Sequence, residues 1–164
     1  MQPLLNGLQA WLESTRLSYF MIHSDFAWPI CECLHFVGLT LLIGTVGLFD
    51  LRMLGLAKGL SLKAMHRLIG WGVLGFVINV ITGSMFFAAI PYQYIYNGAF
   101  QAKMVCMLLL GTNVLIFYLT MRKKVEMLGP EDAAPFGAKV IAATSLCLWI
   151  AVICFGRAEA FFKP

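Results

Sequence analysis

Residues 28–50 read WPICECLHFVGLTLLIGTVGLFD, and Glu32, His35 and, at the very end, Asp50 are the only acidic or basic side chains in them. A run this long and this apolar reads as a membrane-spanning helix, since about 20 residues cross a hydrocarbon core. His35 lies past Pro29 by roughly 9 Å of helical rise, inside the apolar zone. An imidazole at that depth is costly unless it has a partner, so an ionisable group there is by default a candidate functional site. Gly38 follows on nearly the same face and leaves space beside the ring for a flat ligand or a close helix.

The whole chain follows the same pattern. Of its 164 residues 60% are apolar and 12% charged, with a mean hydropathy of +0.82. Soluble domains carry roughly 25% charge. Residues 1–164 therefore read as a single integral membrane domain, with any chemistry inside a bundle or at its rims. Four spans are expected, at about 29–49, 68–89, 103–121 and 138–155. Pro29 suits a helix start and Pro91 a stop. Residues 3–20 carry Leu4, Leu5, Leu8, Trp11, Leu12 and Tyr19 at helical spacing. They read as an amphipathic helix at the membrane interface or a cap packed on the bundle, and not as a signal peptide. The fold class is all-α, a four-helix transmembrane bundle with an N-terminal amphipathic helix.

The loops after the first and third spans gather Arg52, Lys58, Lys63, Arg67, Arg122, Lys123, Lys124 and Lys139. The other rim has Arg16, Lys103, Arg157 and Lys163, along with Trp28, Tyr92, Tyr94, Tyr96, Phe161 and Phe162. The positive-inside rule then expects both termini outside, periplasmic in a bacterial inner membrane. The basic residues mark topology and imply no nucleic acid. The five cysteines, Cys31, Cys33, Cys106, Cys147 and Cys154, lie in or beside apolar segments and read as small buried hydrophobes.

His35 has two readings. One is an axial haem ligand, as in b-type cytochromes; the other is a histidine hydrogen-bonded to a neighbouring helix. Glu32, three residues earlier on the same face, is the expected orienting partner of the ring. A single Glu-x-x-His speaks against a di-iron bundle, which needs two. Lys103 and Arg157 either snorkel or neutralise haem propionates. His66 starts the second span at the far rim. Since His35 and Arg52 are separated by roughly 26 Å of helix, His66 cannot share one iron with His35. It holds a second haem or, the favoured reading, sits at the interface. Further ligands at the outer end are Met85, Met104, Met107 and His23. The set His35, Met85, Met104, Met107 and Cys106 would also suit Cu(I). Asn79, Thr82, Asn113 and Gly38, Gly44, Gly47, Gly70, Gly72 and Gly75 read as helix-packing residues.

The stretches CECLHFVGLTLLIGTVGLFDLRMLGL (31–56), ITGSMFF (81–87), FQAK (100–103) and GRAEAF (156–161) carry a resemblance. From about Trp11 to Phe161 the chain resembles an uncharacterised family of small bacterial four-helix membrane proteins. That family is distantly similar to the membrane domain of copper-resistance protein D and to the membrane-bound, haem-associated protoporphyrinogen oxidase. The resemblance implies that His35 and Lys103 face one outer site and, from the oxidase, that the site is associated with haem. The chain departs from the oxidase in having Asp50-Leu51-Arg52 after its first span. The expectation is a b-type cytochrome-like protein that carries electrons from a membrane quinol to a periplasmic redox protein. The alternatives are a copper-handling protein and an anchor subunit of a larger complex or homo-oligomer.

Overall fold

The computed structural model describes residues 2–57, 59, 60, 65, 67–129 and 132–162, the side chains of 2–4 excepted; His66 lies outside the described residues. Among these residues the chain is helical and contains no strand. The helices are α1 (Gln2–Glu13), α2 (Arg16–His23), α3 (Ala27–Leu54), α4 (Ile69–Ala89), α5 (Pro91–Ile95), α6 (Gly98–Thr120), α7 (Arg122–Glu126) and α8 (Phe136–Ala158). α3, α4, α6 and α8 are each long and apolar enough to cross a membrane, consistent with a multi-pass membrane protein.

The helix ends follow local chemistry. Pro91 follows α4 and supplies the first residue of α5. Asn97 caps α6, its side-chain oxygen accepting from the Ala99 and Phe100 amides. α3 ends at Gly55, whose φ of 87° is left-handed and suits glycine. The N-terminal segment is two helices where one was expected. The break falls at Ser14 and Thr15, whose hydroxyls bond back to the Trp11 and Leu12 carbonyls, and Thr15 then accepts from the Ser18 amide to start α2. α2 packs on α4 with Ser18 and Met21 buried, and the Ser18 hydroxyl donates to the Ala89 carbonyl. Trp11, Tyr19 and Phe20 stay exposed. The segment is thus partly a cap and partly an apolar surface.

α3 runs 28 residues, past the expected end at 49. It continues because Asp50 and Arg52 are buried rather than solvated. Arg52, 0% exposed, donates from its guanidinium to the carbonyls of Leu60, Gly129 and Asp132. One side chain thereby fastens the two loops of the basic end to α3. At the opposite end Asn97 does a similar job, donating to the Glu159 and Phe162 carbonyls and tying α6 to the end of α8.

The long helices form an incomplete ring. α4 packs on α3, α3 on α8, and α8 on α6, while α4 and α6 scarcely touch. The tightest seam is α3 against α4. A Cβ placed on Gly75 would lie 2.6 Å from the Gly38 carbonyl oxygen and 2.8 Å from the Leu42 amide nitrogen. One on Gly38 would lie 2.7 Å from Asn79 Nδ2, and one on Gly72 would lie 2.8 Å from Thr45 Oγ1. The expectation that six glycines serve packing holds for these three. Gly44, Gly47 and Gly70 meet nothing within 4 Å and play no such role.

Backbone cannot yield as a flexible side chain can, so Gly75→Ala must push α3 and α4 apart. We expect a loss of about 1–3 kcal/mol, the usual range for overpacking, measured by thermal or denaturant unfolding in detergent. Gly44→Ala, facing open space, should leave stability unchanged or slightly raised. Equal behaviour of the two variants would refute the close seam.

Candidate functional site

The α3–α4 seam fixes His35. One turn of helix from Gly38, the His35 Nδ1 lies 2.7 Å from Thr82 Oγ1 on α4. The same Thr82 oxygen lies 2.7 Å from the Ile78 carbonyl oxygen. A carbonyl has no proton to give, so the threonine hydroxyl donates to Ile78 and must accept from His35. In the neutral ring the proton therefore sits on Nδ1, and Nε2 is left with a lone pair. Nε2 has no hydrogen-bond partner among the described residues. Cys31 secures the same joint, its thiol donating to the Thr82 carbonyl at 3.6 Å.

Around the ring the walls are aromatic and small. Phe86 presents an edge at 5.7 Å between centroids, with Trp28 packed on Phe86 at 5.0 Å. Gly83 lies beside the ring: a Cβ there would be 3.8 Å from His35 Cε1, so the glycine leaves that side open. Lys103, from α6, lies at the same end of the bundle. Its ammonium is 3.0 Å from Glu159 Oε1 and 5.8 Å from the Phe100 ring centre, beside Gly156. Phe87, Tyr94 and Phe100 pack together on the same rim. Burial pushes the Tyr94 phenol up to about 12, and the Glu159 carboxylate pushes the same way. This end of the bundle thus holds a histidine with a free nitrogen, a paired lysine and an aromatic wall.

The model of a family of unknown function, DUF6644, matches residues 9–162. The chain belongs to that family. No curated protein and no solved structure matches it.

Of the residues singled out in the sequence, His35 and Lys103 lie at the same end of the bundle, with Lys103 paired to Glu159. The others separate. Glu32 is exposed on α3, and the bond that orients the imidazole comes from Thr82 across the seam. Arg157 is exposed, its guanidinium 5.5 Å from the Phe161 ring centre. Lys103 finds its partner in Glu159 instead. Met85 packs among Met21, Cys31 and Ala89, whereas Met104 is 41% exposed. His23 stacks on Tyr19 on the exposed face of α2. Among the described residues no group of three His, Cys, Asp or Glu side chains is placed to hold a metal ion. Thr82 and Glu159 are the members that sequence reasoning assigned elsewhere or passed over. A threonine next to Gly83 in an otherwise apolar span was the available signal for the first.

The raised phenol has a measurable consequence. Tyr94 stays protonated while the chain is folded until pH approaches 12, whereas the same phenol in an unfolded chain ionises near 10. Its contribution to stability is therefore complete below pH 10 and is lost as pH rises through 12. A phenolate absorbance titration of the folded protein should contain a last step that Tyr94→Phe removes. An unchanged titration in that variant would contradict the burial.

Proposed function

We propose that the chain is a b-type cytochrome-like membrane protein in which His35, through Nε2, would hold haem iron. The observation that carries this reading is the His35–Thr82–Ile78 relay. It holds the imidazole in the tautomer and orientation that a metal ligand requires, the role usually filled by a carbonyl or carboxylate behind a ligating histidine. The residues present fit the group. Gly83 leaves space beside the ring, Phe86 and Trp28 supply apolar wall, and Lys103 supplies the cation that a propionate needs. A propionate there would share Lys103 with Glu159 or take its place. When bound, the iron supplies one-electron transfer through its ferrous and ferric states.

The proposal extends to direction. The excess of Lys and Arg at the other end supports a His35 site on the outer, periplasmic side of a bacterial inner membrane, with both termini outside. The donor would then be a quinol dissolved in the bilayer and the acceptor a periplasmic redox protein. Copper binding by His35, Met85 and Met104 has weaker support, because Met104 lies exposed on α6.

A reduced-minus-oxidised absorption spectrum of the purified protein should show a haem b signal. His35→Ala should abolish the Soret band, and Thr82→Val, which keeps the shape but removes the acceptor, should weaken haem binding about 10- to 100-fold. A full Soret band in His35→Ala, or a wild-type protein that stays colourless when supplied with haem, refutes the reading. Copper without iron on metal analysis would point to the soft-ligand alternative.

A further inference from the structure

A second built site lies at the other end of the bundle, where α4 and α6 fail to close the ring. A cavity of about 440 Å³ opens there, within the size range of small-molecule pockets. Phe49, Phe76, Phe117 and Tyr118 line it, and most of its remaining wall is aliphatic. Phe76 and Tyr118, on the two unjoined helices, are each 49% exposed, so the opening faces the side of the bundle and the lipid.

Asp50 lies in the cavity wall and is 6% exposed. Its carboxylate has the Ser145 side chain as a hydrogen-bond partner, yet Oδ2 has none among the described residues. Several other polar groups of the wall are already engaged. Asn113 donates to the Ile141 carbonyl at 3.0 Å, and Arg122 and Glu126 pair at 2.7 Å. Arg52, two residues along α3, is turned to the loop carbonyls of Leu60, Gly129 and Asp132. A buried carboxylate with an unmet acceptor is costly in an apolar surround. A ligand that brings both a donor and a positive charge offsets that cost for the ionised group.

We propose that this cavity binds a lipophilic amine. Its ammonium donates to Asp50 Oδ2, the aromatic faces around the cavity favour the cation, and its apolar body fills the rest. The ligand reaches the site sideways from the membrane, between α4 and α6. A hydroxyl head group would supply the donor but not the charge, and a carboxylate head group would supply neither. The site does not depend on haem at His35, which lies about 22 Å away along α3.

The test uses the full-length protein in nanodiscs of zwitterionic lipid, titrated calorimetrically with phenylbutylamine, phenylbutanol and phenylbutyric acid. The amine should bind about tenfold or more tightly than the alcohol, and the acid least. Asp50→Asn should erase the preference for amine over alcohol. Val114→Trp, at an exposed residue of the cavity wall on α6, should weaken amine binding about fivefold or more without lowering the melting temperature. Equal affinity for amine and alcohol, or amine binding unaffected by Asp50→Asn, overturns the proposal. Should Asp50→Asn fail to fold, the three-ligand ranking and Val114→Trp decide the matter by themselves: unaltered amine binding in Val114→Trp places the amine elsewhere.

Discussion

Backbone meets backbone where α3 crosses α4, and most of what is specific about the bundle depends on that approach. In a membrane the apolar surfaces of helices gain little by leaving lipid, so helices associate through close packing and hydrogen bonds. Gly38, Gly72 and Gly75 permit the packing, and His35, Cys31 and Thr82 supply the hydrogen bonds one turn away. The two depend on each other. With a methyl group between the helices, the His35–Thr82 distance could not stay at 2.7 Å, and the ring would lose the acceptor that sets its tautomer.

At each end a single buried polar side chain closes what the long helices leave open. Arg52 gathers carbonyls from two loops, and Asn97 caps one helix while bonding the end of another. The logic is the same at both places. Loop carbonyls at a membrane end have lost part of their water and need donors, and a multi-donor side chain satisfies several with one anchor. The fastening is uneven around the ring. It joins α3 to the loops and α6 to α8, whereas among the described residues no side-chain hydrogen bond joins α4 to α6, the side on which the cavity opens.

The spans were legible in the sequence because charge is sparse in them and proline and glycine mark their limits. Their ends were less so. Asp50 and Arg52 look like the polar flank of a finished span, and only the loop carbonyls brought over them reveal that the helix goes on. Glu32 was a reasonable partner for His35 by spacing along one helix. The true partner depends on the register between two helices, which no pattern within α3 encodes. Lys103 and Arg157 likewise look equivalent as basic residues near one rim. α6 turns Lys103 inward to Glu159, while α8 leaves Arg157 outside against Phe161. Such differences of facing are set by the seam geometry and not by composition.

Among the described residues α3 carries two polar points with an unused valence, His35 Nε2 and Asp50 Oδ2, and a third, Asn79 Oδ1, lies on α4. Between the two on α3 the only polar side chains are Thr40 and Thr45. Thr40 donates to the Phe36 carbonyl, and Thr45 to the carbonyls of Leu41 and Leu42, so each hydroxyl is spent on its own helix. α3 therefore offers no relay by which a proton could pass from one end to the other. α4 connects the two ends by packing. Gly72 packs on Thr45 near the cavity, and Gly75 packs on Gly38 near His35. A ligand that shifts α4 at the first contact must shift it at the second, because the same rigid helix makes both.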